Sequence, residues 1–257
     1  MRLDGLLAVI TLCASVGVSA QAPADERRSG YQDMGRETRA MQDEDATNPA
    51  MLWVLDGEAL WSIAAGAAGK ACSGCHGDAA VSMKGVALRY PSVDRSARKL
   101  INLDQRINVC RTDQQKAPAL QLEGRELLAL SAYVGKQSRG LPIDVQDSAA
   151  IRPYLEAGRA AFNRRLGQLN IACAQCHEQR AGNRLAGNVI PQAHPTGYPI
   201  YRLEWQGLGS LQRRLRNCMT GVRAEPYAYG AQEHVELELY LMWRARGMKL
   251  ETPAVRP

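Results

Sequence analysis

The sequence predicts an all-α fold of two tandem units, and three observations carry that prediction. The pattern Cys-x-x-Cys-His occurs twice, as Cys72-Ser-Gly-Cys75-His76 and Cys173-Ala-Gln-Cys176-His177, 101 residues apart. Matched residues extend on both sides of the two copies. Within the matched stretches, apolar positions recur at steps of three and four, the spacing of one helix face.

The first element is a leader. Leu6 to Val18 is apolar, Arg2 precedes it and Val18-Ser19-Ala20 follows it. That order predicts a signal peptide over residues 1–20, cut after Ala20 and removing Cys13 with it. No later stretch reaches the ~20 apolar residues of a membrane span, so a protein exported to the periplasm is expected. Residues 21–50 are polar and rich in Arg, Asp and Glu. They read as an arm, either a flexible tail or a segment that packs on a partner.

The first unit spans residues 51–146 and the second 147–257. Gly57, Ala59 and Trp61 match Gly158, Ala160 and Phe162 at an offset of 101. Arg106 and Cys110 match Arg214 and Cys218 at 108. Glu126, Leu130, Tyr133 and Arg139-Gly140-Leu141 match Glu233, Leu237, Tyr240 and Arg246-Gly247-Met248 at 107. The change of offset places an insertion in unit two, where Pro191, His194-Pro195, Gly197 and Pro199 predict an irregular loop. Helices are expected over Ser148–Phe162, opened by Pro153, over Glu126–Gln137, and over Glu233–Arg246 with Gly247 as its stop. Arg139 to Gln146 reads as the linker between the units.

Six cysteines remain after the leader: Cys72, Cys75, Cys110, Cys173, Cys176 and Cys218. An even number in an exported chain ordinarily suggests disulfides. The paired Cys-x-x-Cys-His motifs instead predict two covalently attached c-type haems, with Cys72 and Cys75, and Cys173 and Cys176, as thioether partners. His76 and His177 are then the proximal iron ligands. The expected fold is therefore two cytochrome c-like domains, one haem each. Two porphyrins would also supply core material to a chain with one Phe.

For the opposite face of each iron the residues allow several ligands. Met83 follows His76 by only seven residues, too near to cross to the other haem face; unit two offers Met219, His194, His234 and Cys218. Cysteine alone recurs at equivalent positions, so Cys110 and Cys218 are the expected ligands. A Cys110–Cys218 disulfide, or two buried thiols, is the competing structural reading. Around Cys218 stand Arg213, Arg214, Arg216 and Arg223. Such a run is ordinarily a solvated helix face. Here Arg214 lies one helical turn before Cys218 and so on the same side, and a guanidinium fork beside a sulfur nucleophile suits a sulfur oxyanion. The net charge of +6 also suits an anionic substrate or an acidic partner. No nucleic-acid-binding motif is present.

The run from Cys218-Met-Thr-Gly-Val-Arg to Tyr227, the stretch Glu236 to Gly247 and the ending Glu251-Thr-Pro-Ala-Val-Arg256 resemble SoxA, the dihaem subunit of the SoxAX cytochromes of bacterial sulfur oxidation. Arg106-Ile-Asn-Val-Cys110-Arg and Ala132 to Gly140 resemble the same family. The resemblance implies an L-cysteine S-thiosulfotransferase that joins thiosulfate oxidatively to a cysteine of the SoxYZ carrier. It implies a heterodimer with a small SoxX-type cytochrome c, and a separate cytochrome that accepts two electrons. It implies Cys218 as the catalytic cysteine, iron-bound and found as a persulfide, and Arg214 as the substrate-binding arginine. Two other functions stay open at this point: a dihaem electron carrier without catalysis, and a thiosulfate dehydrogenase that forms tetrathionate.

Overall fold

The computed structural model describes residues 26–257; the expected leader over 1–20, with 21–25, lies outside the described residues. In chain order the elements are α1 (Arg36–Asp43), α2 (Met51–Ser62), α3 (Cys72–His76) and α4 (Ala79–Ser82), then β1 (Ser92–Asp94), β2 (Lys99–Ile101), α5 (Leu103–Cys110) and α6 (Arg125–Lys136). The series then repeats as α7 (Arg152–Asn163) and α8 (Cys173–His177), followed by the hairpin β3 (Arg184–Leu185) and β4 (Asn188–Val189). It continues with β5 (Ile200–Arg202), β6 (Gly207–Gly209), α9 (Leu211–Gly221), α10 (Gln232–Arg244) and a closing strand β7 (Ala254–Arg256).

The all-α expectation is corrected by these short strands. β1 and β2 pair antiparallel with Asp94 opposite Lys99, and β5 and β6 pair in the same way with Arg202 opposite Gly207. β7 adds to β5 in parallel. Pro91 and Pro199 stand just before β1 and β5. Proline disfavours helix in the residue before it and locks its own φ, so the chain enters each hairpin extended. Two- and three-residue strands have too few alternating positions to show a period in sequence.

The helices sit close to their expected places. α6 begins one residue before Glu126, and α10 ends at Arg244, two residues short, with Gly247 just beyond at φ +80. α7 begins at Arg152 rather than Ser148, because Pro153 occupies its first turn, where a missing N–H costs nothing. Two capping side chains at equivalent positions start the cysteine-bearing helices. Asn102 accepts from the Gln105 amide at the head of α5, and Ser210 accepts from the Arg213 amide at the head of α9.

In each unit the first helix crosses the last at a glycine. A Cβ on Gly57 would stand 2.2 Å from the Ala129 carbonyl oxygen, and one on Gly158 would stand 2.1 Å from that of Glu236. The β-carbons of Tyr133 and Tyr240 close the same gaps. Gly57→Ala and Gly158→Ala should each lower stability by roughly 1–3 kcal/mol through overpacking. Denaturant unfolding checks this, and unchanged midpoints would show that the helix pairs can separate without cost.

The two units share one core. Leu88 and Leu100 of the first pack in one cluster with Phe162, Val235, Leu239 and Leu241 of the second. The expected linker is not free between them. Gly140 N–H donates to the Leu250 carbonyl (2.8 Å), Ile143 N–H to that of Met248 (2.9 Å), and Gly247 N–H back to that of Ile143 (2.9 Å). The segment after α6 thus pairs with its own repeat copy after α10. Residues 26–50 also lie on the chain itself. Gln42 Oε1 accepts from Val255 N–H (3.1 Å) and from Arg256 Nη1 (2.5 Å), and Asn48 Nδ2 donates to the Pro253 carbonyl (3.1 Å). Among the described residues no helix is long and apolar enough to cross a membrane.

Candidate functional site

Both Cys-x-x-Cys-His motifs fold as single helical turns, α3 and α8, following a loop closed by one β-bridge, Ala65 to Lys70 and Leu166 to Ile171. Each turn faces the end of the helix that carries the third cysteine. Cys110 lies close enough to Cys72 and Cys75 for their thiols to interact electrostatically, and Cys218 stands in the same relation to Cys173. Burial pushes Cys173 up to about 11 and also raises Cys110, against the pull of Arg106. Among the described residues no two cysteines form a disulfide. With Cys110 and Cys218 each held at its own motif, the structure offers no Cys110–Cys218 disulfide.

The two sites differ in enclosure. Cys75 and His76 are exposed, whereas Cys176 and His177 are half-buried. His177 Nδ1 lies 2.7 Å from the Pro191 carbonyl oxygen. A carbonyl only accepts, so Nδ1 carries the proton and Nε2 is left with its lone pair for a metal. Burial, together with the charges of Arg214 and Arg244, pulls His177 below the usual imidazole range and favours that neutral ring. The irregular loop predicted around Pro191 therefore orients His177.

His177, Arg214 and Cys218 line one cavity with Tyr198, Arg202 and Leu241. It encloses about 1020 Å³, solvent at its mouth included. Arm residues Gly30 and Met34 form part of its rim. Cys218 is the one cysteine among the lining residues. The Arg214 guanidinium has no hydrogen-bond or ion-pair partner among the described residues. Its repeat copy Arg106 instead donates to Asp94 in an ion pair.

Of the four arginines singled out near Cys218, the structure brings only Arg214 to the cavity. Arg213 stacks over Trp205 (4.4 Å). Arg216 stacks over Tyr229 (4.6 Å) and donates to the Tyr227 carbonyl. Arg223 sits past the end of α9 at φ +57. Of the other iron-ligand candidates, His234 is fully buried with Nδ1 on the Ala228 carbonyl (3.1 Å), and Met83 is packed with Trp61 and Val134. His194 does reach the rim, with Nδ1 on the Arg28 carbonyl (2.8 Å).

The sequence model of the SoxA/TsdA cytochrome c domain matches this chain twice, over residues 56–143 and 157–250. The SoxA subunit of the L-cysteine S-thiosulfotransferase of Pseudaminobacter salicylatoxidans is 38% identical over 236 residues, covering 91% of this chain and 82% of that one. The chain belongs to the SoxA family. The corresponding subunit of Rhodovulum sulfidophilum is 36% identical over 90% of this chain and 81% of that one. Among solved structures, SoxXA from P. pantotrophus superposes with a TM-score of 0.87 at 32% identity, covering 90% of this chain and 87% of the matched one.

The cofactor of a cytochrome c domain is covalent haem c, and this SoxA-family chain has residues that fit it. At the second site His177, a neutral imidazole with a free Nε2, and the Cys218 sulfur line one cavity, and the Cys173 thiol stands within electrostatic range of Cys218. Arg202 and Tyr198 are the cavity residues that sequence reading passed over. The signal for Arg202 was present, since the offset of 108 that pairs Cys110 with Cys218 also pairs Asp94 with Arg202.

Proposed function

We propose that this chain is the dihaem, catalytic subunit of a periplasmic L-cysteine S-thiosulfotransferase, joining thiosulfate to a cysteine of a SoxYZ-type carrier protein. The activity is the one named for its relatives in Pseudaminobacter salicylatoxidans and Rhodovulum sulfidophilum. The observation that supports the assignment of residues is the meeting of Cys218, unpaired Arg214 and His177 on one cavity wall. Cys72, Cys75 and His76 with Cys110, and Cys173, Cys176 and His177 with Cys218, are the residues that would hold the two haems. When bound, the haems supply one-electron acceptors for the pair of electrons released.

The chain's own residues account for the rest. Arg214 presents its free fork to the sulfonate oxygens of thiosulfate and turns the outer sulfur toward Cys218 Sγ. The Cys218 thiolate and the outer sulfur form an S–S bond, giving Cys218-S-S-SO₃⁻ and two electrons. The carrier's thiolate then attacks the outer sulfur, takes the S-SO₃⁻ group and returns Cys218 as thiolate. The net change is thiosulfate plus a carrier thiol giving the carrier S-thiosulfonate, one proton and two electrons. The electrons pass to a separate cytochrome. A small SoxX-type cytochrome completes the heterodimer, as the solved SoxXA complex suggests.

A pyridine haemochrome assay on protein matured in a periplasm should give two haems per chain. Cys173→Ala with Cys176→Ala should leave one haem and no turnover. One haem in the wild type would remove the assignment at one motif.

A further inference from the structure

The two units are copies, and one position has changed sign between them. β1 and β5 occupy the same place in the repeat, and their last residues are Asp94 and Arg202. The arginine one turn before each third cysteine is Arg106 in the first unit and Arg214 in the second. In unit one, Asp94 is buried and accepts from both Arg106 and the Ala97 amide. The guanidinium beside Cys110 is thereby neutralised and held. In unit two the same register carries Arg202, so Arg214 meets a second cation where a carboxylate stood.

Two guanidinium groups facing one cavity are costly unless something anionic joins them. Among the described residues, the side-chain carboxylates nearest the pair do not fill that role. Asp33 on the rim is engaged by Arg28 at 2.9 Å. Glu204 meets Arg202 Nη2 at 2.9 Å, but its own side chain is 58% exposed against 12% for Arg202, so it grips the solvent edge only. The third arginine of the wall, Arg256, is spent on Glu251 and Gln42. Arg202 Nε is buried with no hydrogen-bond partner. Burial first, then the Arg214 charge, draws the Arg202 pKa below its ordinary value, which places the two cations within range of each other. Tyr198, half-buried on the same cavity wall, lies within electrostatic range of both arginines and of Cys218.

We propose that Arg202 is the second arm of the oxyanion clamp, and that Arg202 and Arg214 together bind the thiosulfate dianion by its sulfonate oxygens beside Cys218. The inference rests on the thiosulfate reading of this site. It explains why one of two similar cysteine helices faces a binding cavity while the other carries an internal ion pair. A single guanidinium matches one negative charge; the pair matches a dianion and discriminates against monoanions of similar shape.

The test is equilibrium binding to the holoprotein by calorimetry, without carrier, using thiosulfate and, as an inert dianion of related shape, sulfate. Wild type should bind both. Arg202→Ala should weaken each by about tenfold or more, the usual loss with one charge-assisted hydrogen bond. Arg202→Lys should recover part of it. Arg202→Asp should bind least, because it rebuilds the unit-one pair and closes Arg214 against the carboxylate. Haem content and haem spectrum should match wild type in all three. If Arg202→Ala and Arg202→Asp bind thiosulfate as wild type does while Arg214→Ala does not, the clamp has one arm and the proposal is wrong. If wild type binds sulfate in an Arg202-dependent way but ignores thiosulfate, the two-arm site stands and the substrate reading falls. Failure of Arg202→Asp to assemble would contradict the equivalence with Asp94.

Discussion

Cys218→Ala should reduce carrier-dependent thiosulfate oxidation by at least about a thousandfold, equivalent to ~4 kcal/mol of lost transition-state stabilisation. The size of the effect follows from the cavity. Cys218 is the sulfur on its wall, it stands against Cys173, and no other cysteine lines the space in which the anion would sit. Alanine removes the atom that forms the S–S bond, and nothing within reach replaces it. On the proposed assignment Cys173 and Cys176 hold the haem without Cys218, so haem content should stay at the wild-type value. Cys110→Ala makes the control. It removes the equivalent sulfur from a unit whose arginine is already neutralised by Asp94. It should alter the magnetic-resonance signal of one ferric haem and leave most of the turnover. Thiosulfate-dependent haem reduction, with and without a thiol acceptor, measures both. Equal loss in the two variants would mean that the sites act as a unit, and the division into a reactive and a structural haem site would have to be abandoned.

What the sequence made legible is whatever the repeat and the covalent motifs constrain. The two Cys-x-x-Cys-His turns, the long helices α6 and α10, and the recurrence of Cys110 as Cys218 could be read because each rests on fixed spacing. The strands could not, since β1 and β5 are three residues each and owe their existence to pairing across a hairpin and, for β5, to a strand more than fifty residues away. The same holds for the linker and the arm. Nothing local in Gly140–Ile143 announces that it will bond to Gly247–Leu250, and nothing in Gln42 announces that it will hold Arg256. The arginines near Cys218 show the limit most directly. Sequence proximity nominated Arg213, Arg216 and Arg223, but aromatic rings and a carbonyl claim the first two, and the third lies beyond the helix end. Arg202, sixteen residues before Cys218, reaches the cavity because β5 carries it there.

Arg214→Ala should lower kcat/KM for thiosulfate by roughly ten- to a hundredfold, the range set by one charge-assisted hydrogen bond at ~1.5–3 kcal/mol. Arg214→Lys should recover part of that loss, since an ammonium keeps the charge but not the two-pronged contact. The matched change in the first unit sharpens the expectation. Arg106 occupies the same turn of the same helix but is bound to buried Asp94, so Arg106→Ala leaves a carboxylate without its cation and should cost stability. Turnover by the folded protein should stay close to wild type. Arg214 has no such carboxylate, so its loss relieves a local repulsion with Arg202 and should leave the melting temperature unchanged or slightly raised. The two arginines therefore separate on two axes, activity for one and stability for the other. Thermal unfolding and steady-state kinetics on the same preparations read both. If Arg214→Ala instead sheds its haem or melts early while Arg106→Ala does not, Arg214 is a scaffold for the second site and the burden of holding the anion falls on Arg202.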